Sequence, residues 1–115
     1  MGAVSGMART RQALILILDD DAEVGAFVRE VLSGSRYRTE WCSDVEGALR
    51  TAANEPPDLA LVDIDLGAKG TGWEFLRAIR ADPVTANLPV VMLTGHADTL
   101  NRERSLRYGA DRYLV

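Results

Sequence analysis

An α/β domain built on one parallel sheet is the fold this sequence predicts, and three observations carry the prediction. Apolar runs of strand length alternate with segments whose apolar residues recur at helical spacing. The connections between them are short, and no repeat or low-complexity tract interrupts the series. The 115 residues suffice for one hydrophobic core and not for two. Alternation of this kind belongs to parallel strands joined by right-handed crossovers.

The elements follow in order. Residues 1–11 (MGAVSGMARTR) show no periodicity and are read as an N-terminal arm, leaving 12–115 as the domain. Ala13–Leu18 (ALILIL) is too short for a helix and rich in branched side chains, hence a buried first strand. After three aspartates, Val24, Phe27, Val28, Val31 and Leu32 fall on one helical face, which Ser33 and Gly34 close. Asp21 is placed to cap that helix, where an acidic group favours the N-terminal dipole. Residues 39–42 read as a weaker, mixed edge strand. Ser43 and Glu46 have capping-box spacing ahead of the stripe Val45, Ala48, Leu49 and Ala52, and Pro56 and Pro57 end this second helix. Residues 59–62 form the third strand. Thr71 and Glu74 repeat the capping pattern before Phe75, Leu76 and Ile79, in a third helix that stops near Pro83. Val90–Leu93 is a fourth strand, 97–108 a poorly apolar helix ended by Gly109, and 112–115 the start of a fifth strand.

Composition excludes several function classes. Hydrophobic residues at 47% with 26% charged describe a globular chain rather than a disordered one. No apolar stretch approaches the roughly 20 residues of a membrane span, and the N-terminus lacks the apolar core of a signal peptide, so a cytoplasmic location is expected. Cys42 is the only cysteine, which rules out an internal disulfide and leaves it a small hydrophobe. A net charge of −4 argues against a nucleic-acid surface on this domain. Trp41 and Trp73 are expected to be packing and surface aromatics.

Parallel strands put their C-terminal ends on one edge, the rim where open α/β folds bind ligands. The first strand runs into Asp19 and Asp20, the third into Asp63, and the fourth into Thr94 and Gly95. Carboxylates gathered there repel one another and raise each other's pKa unless a cation neutralises them. An all-oxygen site without His or Cys favours a hard ion, and Mg²⁺ takes one or two carboxylates with waters and a phosphate oxygen. That set of groups points to phosphoryl chemistry, with a carboxylate able to act as nucleophile. Thr94 is placed to hydrogen-bond a phosphoryl oxygen, and Gly95 leaves room for one.

In order and at matching spacing, ILILDDDAEV, LALVDIDLG, LPVVMLTGHAD and YGADRYLV resemble the receiver domain of two-component response regulators, over residues 13–115. The resemblance implies a flavodoxin-like, doubly wound, five-stranded sheet of order 2-1-3-4-5. It implies that Asp63 is the phosphoacceptor, taking its phosphoryl group from a sensor histidine kinase or a phosphotransfer protein. Asp19 and Asp20 would hold Mg²⁺ with Asp63 and the backbone carbonyl of Asp65. Thr94 would contact the phosphoryl group, Tyr113 would be the aromatic that moves with it, and helix residues 101–107 would border the output surface. An effector domain or a homodimer would read that surface. Such a domain phosphorylates itself and at most dephosphorylates itself, rather than turning over a separate substrate.

The sequence departs from the family in three places. The lysine expected after the fifth strand, usually followed by proline, would fall beyond Val115, and so would the final helix. Residues 12–115 are therefore read as a receiver lacking its C-terminal helix, within a longer chain; a domain truly without it would bare an apolar face that recruits a partner. Lys69, the single lysine among 13 basic residues, leaves from a different strand and is no substitute. Third, LGAKGTG stands where receivers commonly have Leu-Pro or Met-Pro and then Asp-Gly, which predicts a mobile loop one residue longer. His96, two positions past Thr94, and Asp65 occupy places where the family tunes the lifetime of the phosphoryl group; His96 otherwise reads as an exposed loop residue.

Two other readings stand beside this one. LVDIDLG and VVMLT also resemble haloacid-dehalogenase-like phosphatases, with Asp63 as nucleophile and Asp65 as general acid. That family places its nucleophile strand first and needs a downstream lysine and a longer core. The other is a pseudo-receiver, a binding module that never takes phosphate.

Overall fold

The computed structural model describes residues 12–34, 36–94 and 99–114. Five parallel strands form one sheet in the order β2-β1-β3-β4-β5. They are β1 (Ala13–Leu18), β2 (Tyr37–Cys42), β3 (Leu59–Asp63), β4 (Val90–Leu93) and β5 (Arg112–Leu114). The helices between them are α1 (Ala22–Val31), α2 (Val45–Asn54), α3 (Gly72–Ala81) and α4 (Thr99–Arg107). The N-terminal arm 1–11, Gly95, His96, the predicted start of the fourth helix at Ala97, and Val115 lie outside the described residues.

β1 lies between β2 and β3, and five of its six residues are buried, so both of its faces are covered and its apolar run is unbroken. Pleating then sends alternate residues to opposite faces. Leu16, Leu18, Ala60, Val62, Val90 and Met92 join Ala48 and Ala52 of α2 and Phe75, Leu76 and Ile79 of α3 in the main core. β2 is the polar edge expected, but it begins at Tyr37, two residues before the predicted 39, because its outer residues Tyr37, Arg38 and Glu40 are exposed and give no apolar signal.

Local signals set the helix starts. The Asp21 carboxylate accepts from the backbone N–H groups of Glu23 and Val24, as expected of a cap. For α2 the cap is Asp44 rather than Ser43: the β1–β2 register carries β2 through Cys42, and the Asp44 carboxylate reaches the Gly47 N–H at 2.7 Å. For α3 the predicted box forms, with Glu74 accepting from the Thr71 N–H at 3.2 Å.

The stripe on α1 is the main departure. Phe27 and Val31 are 65% and 64% exposed, and the only buried residue of α1 is Gly25. An ideal Cβ on Gly25 would stand 2.6 Å from the Trp41 indole, so the helix rests on that ring through its glycine and not through its apolar side chains. Along the stripe Val24, Phe27 and Val31 are exposed, while Val28 and Leu32 are half-buried.

Two polar clamps tie α3 to the later elements. The Arg80 guanidinium donates to the carbonyls of Ala86, Leu88 and Gly109 and pairs with Asp111, whose carboxylate also accepts from the Val90 N–H. Trp73 donates its indole N–H to the buried Ser105 hydroxyl at 2.9 Å, with the Arg104 guanidinium 4.7 Å from the ring centroid and Tyr108 edge-on at 6.2 Å. α4 is thus held by an aromatic and cationic contact instead of an apolar stripe, which is why its sequence reads as a solvated face.

Candidate functional site

β1 and β3 are neighbours in register, with Leu18 opposite Val62, so their C-terminal ends meet. Asp19 follows β1 directly and Asp63 is the last residue of β3. The carboxylates of Asp19, Asp20 and Asp63 offer oxygen atoms that all lie within 4.8 Å of one another. Asp19 is buried, Asp63 half-buried and Asp20 exposed. They open into a cleft of about 390 Å³, lined also by Asp21, Val24, Leu93 and Thr94.

The electrostatics follow from this crowding. Burial, and next the charge of Asp19, push the Asp63 carboxyl up to about 6, although a hydrogen bond from the Asp65 N–H works the other way. Asp19 is also raised, first by burial and then by Asp20 and Asp21, against a hydrogen bond from the Asp21 N–H at 2.9 Å. Two carboxyls that resist ionisation for want of a counter-charge, beside a third and with oxygen donors alone, suit a hard divalent cation.

Backbone close packing fixes Asp63 from behind. Gly72, the first residue of α3, donates its N–H to the Ile64 carbonyl at 2.8 Å, and a Cβ on it would collide with the Asp63 carbonyl oxygen and the Val62 side chain. The helix N-terminus therefore sits directly on the backbone of the acidic strand end, and only glycine permits it. In sequence Gly72 reads as part of the glycine-rich loop, whereas it opens α3; the local capping pattern marks the helix start, but nothing local marks the contact with β3.

The remaining predicted residues divide. Thr94 lines the cleft, and its N–H donates to the Leu114 carbonyl at 3.1 Å, joining the end of β4 to β5. Tyr113 does not line the cleft: it pairs in register with Met92 and packs against the main core. Asp65 is exposed, and its carboxylate accepts from the Gly67 N–H at 2.8 Å. Lys69 is exposed, as expected. The glycine-rich loop is a compact turn: a 3-10 turn at Gly67–Lys69, a bridge between Asp65 and Thr71, and the Leu66 N–H on the Gly70 carbonyl at 3.0 Å. Gly67 (φ +63°) brings this turn against Asp20, whose carboxylate would lie 3.2 Å from a Cβ there.

A profile of the response regulator receiver domain matches residues 15–115. The chain belongs to this family. The receiver is 35% identical over 102 residues to the phosphate regulon transcriptional regulatory protein PhoB of Klebsiella pneumoniae, covering 88% of this chain and 44% of that protein. It thus spans less than half the length of that relative. Its fold superposes on the chemotaxis protein CheY4 of Vibrio cholerae with a TM-score of 0.85 and 27% identity, over 91% of this chain and 87% of that one. The BeF3-activated N-terminal receiver domain of RstA from Klebsiella pneumoniae gives a TM-score of 0.78 and 30% identity, over 88% and 83%. The receiver of a two-component system is therefore what this chain is, with the 2-1-3-4-5 sheet its resemblance implied. The phosphatase reading finds no support: its nucleophile strand would be first in the chain, and Asp63 ends the third. Among the described residues no helix is long and apolar enough to cross a membrane.

Proposed function

We propose that Asp63 is the phosphoacceptor of this receiver, loaded from the phosphohistidine of a sensor histidine kinase or a phosphotransfer protein. One observation carries the reading: Asp19, Asp20 and Asp63, from two strands, converge on one cleft. A carboxylate oxygen of Asp63 attacks phosphorus in line, the bond from phosphorus to the imidazole nitrogen breaks, and an acyl phosphate forms. Asp19, Asp20, Asp63 and the backbone carbonyl of Asp65 are the groups that would hold Mg²⁺, which supplies charge neutralisation between acceptor and phosphoryl oxygens. Thr94, in the cleft wall, hydrogen-bonds the new phosphoryl group. Because its backbone is tied to Leu114, that contact pulls on β5, where Tyr113 is the aromatic that responds. A cytoplasmic setting suits a kinase donor. The relative twice this chain's length is a transcriptional regulator, which supports an effector module in the full protein. Reading 12–115 as a receiver continued by a further helix fits the uncovered stripe on α1.

Incubation with acetyl phosphate and Mg²⁺, followed by intact mass and peptide mapping, tests the proposal. A single phosphoryl adduct on Asp63, absent in Asp63→Asn and with chelator, is the expected result. An unmodified chain, in a version continued past residue 115, would establish the pseudo-receiver instead.

A further inference from the structure

Trp41 does more than fill space. It is the register partner of Ile17, on the edge strand beside the end of β1. Its indole lies flat against Gly25, so that α1 and β2 are packed through this one ring. The indole N–H, a group that seeks an acceptor when it leaves water, donates to the backbone carbonyl of Asp19 at 2.9 Å. Asp19 is held on its other side too, because its own N–H donates to the Cys42 carbonyl at 3.1 Å. The peptide units on both sides of Asp19 are therefore gripped by the end of β2, and the second of them leads into Asp20. The Asp19 carboxylate takes one hydrogen bond from the Asp21 N–H, and the direction in which its side chain leaves the backbone is set by how these two peptides are held.

We propose that Trp41 is a positioning residue for the divalent-cation site: its indole N–H fixes the Asp19–Asp20 peptide and so aims both carboxylates at Asp63. The proposal rests on the Mg²⁺ reading of the acidic cluster and adds a residue outside the cleft to it. Groups that orient metal ligands from behind are worth about 10–100-fold in metal affinity, and one acting through the backbone is worth less.

The bond also makes Trp41 an optical reporter. Trp73, the other tryptophan, is bonded to Ser105 on α4, so Trp73→Phe leaves a single indole attached to the acidic site. In that background, titration with MgCl2 is expected to change the Trp41 fluorescence saturably. Calorimetry then compares three side chains at position 41 in the same background: tryptophan, 5-fluorotryptophan, which keeps the N–H, and benzothienylalanine, which keeps the shape and replaces the N–H with sulfur. Weakening of Mg²⁺ binding by about three- to tenfold with benzothienylalanine alone, at an unchanged melting temperature, is the expected result. Equal affinity for all three would overturn the proposal and leave Trp41 a packing residue, while the acidic site stood. If the tryptophan-containing chain binds no Mg²⁺, the metal reading fails and this proposal with it.

Discussion

Gly72 lies against the backbone of Asp63 so closely that no side chain fits between them. Replacing a helical glycine by alanine ordinarily gains about 1 kcal/mol. Here the added carbon meets a carbonyl in a paired strand, which cannot give way, and overpacking of this kind costs about 1–3 kcal/mol. Gly72→Ala is therefore expected to lower stability in denaturant titration despite the better helix former, and to slow labelling of Asp63 by displacing its backbone.

The raised pKa of Asp63 sets a pH dependence. Between its ordinary 3.8 and about 6, the folded chain holds a proton that the unfolded chain has released, so stability falls as pH rises through that window. Asp63→Asn removes the repulsion. Without divalent ions it should melt above the wild type at pH 7, by a margin of about 1–2 kcal/mol, less than full conversion because the group is partly solvated. The gap should close below pH 4, and MgCl2 should stabilise the wild type much more than the variant.

Arg80 carries a load that its sequence context does not announce. Removing it leaves the carbonyls of Ala86, Leu88 and Gly109 without this donor, and Arg80→Met is expected to cost about 2–3 kcal/mol in chemical unfolding. Arg80→Lys should recover little of it, because one ammonium cannot reach three carbonyls and a carboxylate in the geometry of a planar fork.

On the α1 stripe the expectation is the reverse. Phe27 is 65% exposed, so Phe27→Ser in this chain should change stability by less than about 0.5 kcal/mol, where a buried phenylalanine such as Phe75 costs about 3–5 kcal/mol on truncation. A large loss for Phe27→Ser would show that the stripe is packed after all.

These contrasts show what could be read from the chain and what could not. β1 was legible because six apolar residues flanked by charge have few other uses, and the acidic rim because parallel strands share an edge. The Thr71–Glu74 box was legible because both partners are local. Ser43 and Asp44 are both good caps, and only the β1–β2 register chooses between them. Val24, Phe27 and Val31 have the period of a buried face, but periodicity cannot say whether a layer exists to bury it. The contact that seats α1, Gly25 on Trp41, joins residues sixteen positions apart through a missing side chain and leaves no pattern at all. Arg80 and Gly72 are of the same kind: their partners are largely backbone atoms of other elements and loops, which no side-chain pattern announces. Tyr113 was found by resemblance, and its place against the core rather than in the cleft is a fact of strand register.

The account stands on one shared ion between two strand ends. Crystals of the receiver soaked in Mn²⁺ and measured at an anomalous wavelength test this directly. The expected result is one strong peak within about 2.3 Å of carboxylate oxygens from both Asp20 and Asp63, lost in Asp63→Asn. A peak that touches neither residue, or none at saturating Mn²⁺, would contradict it.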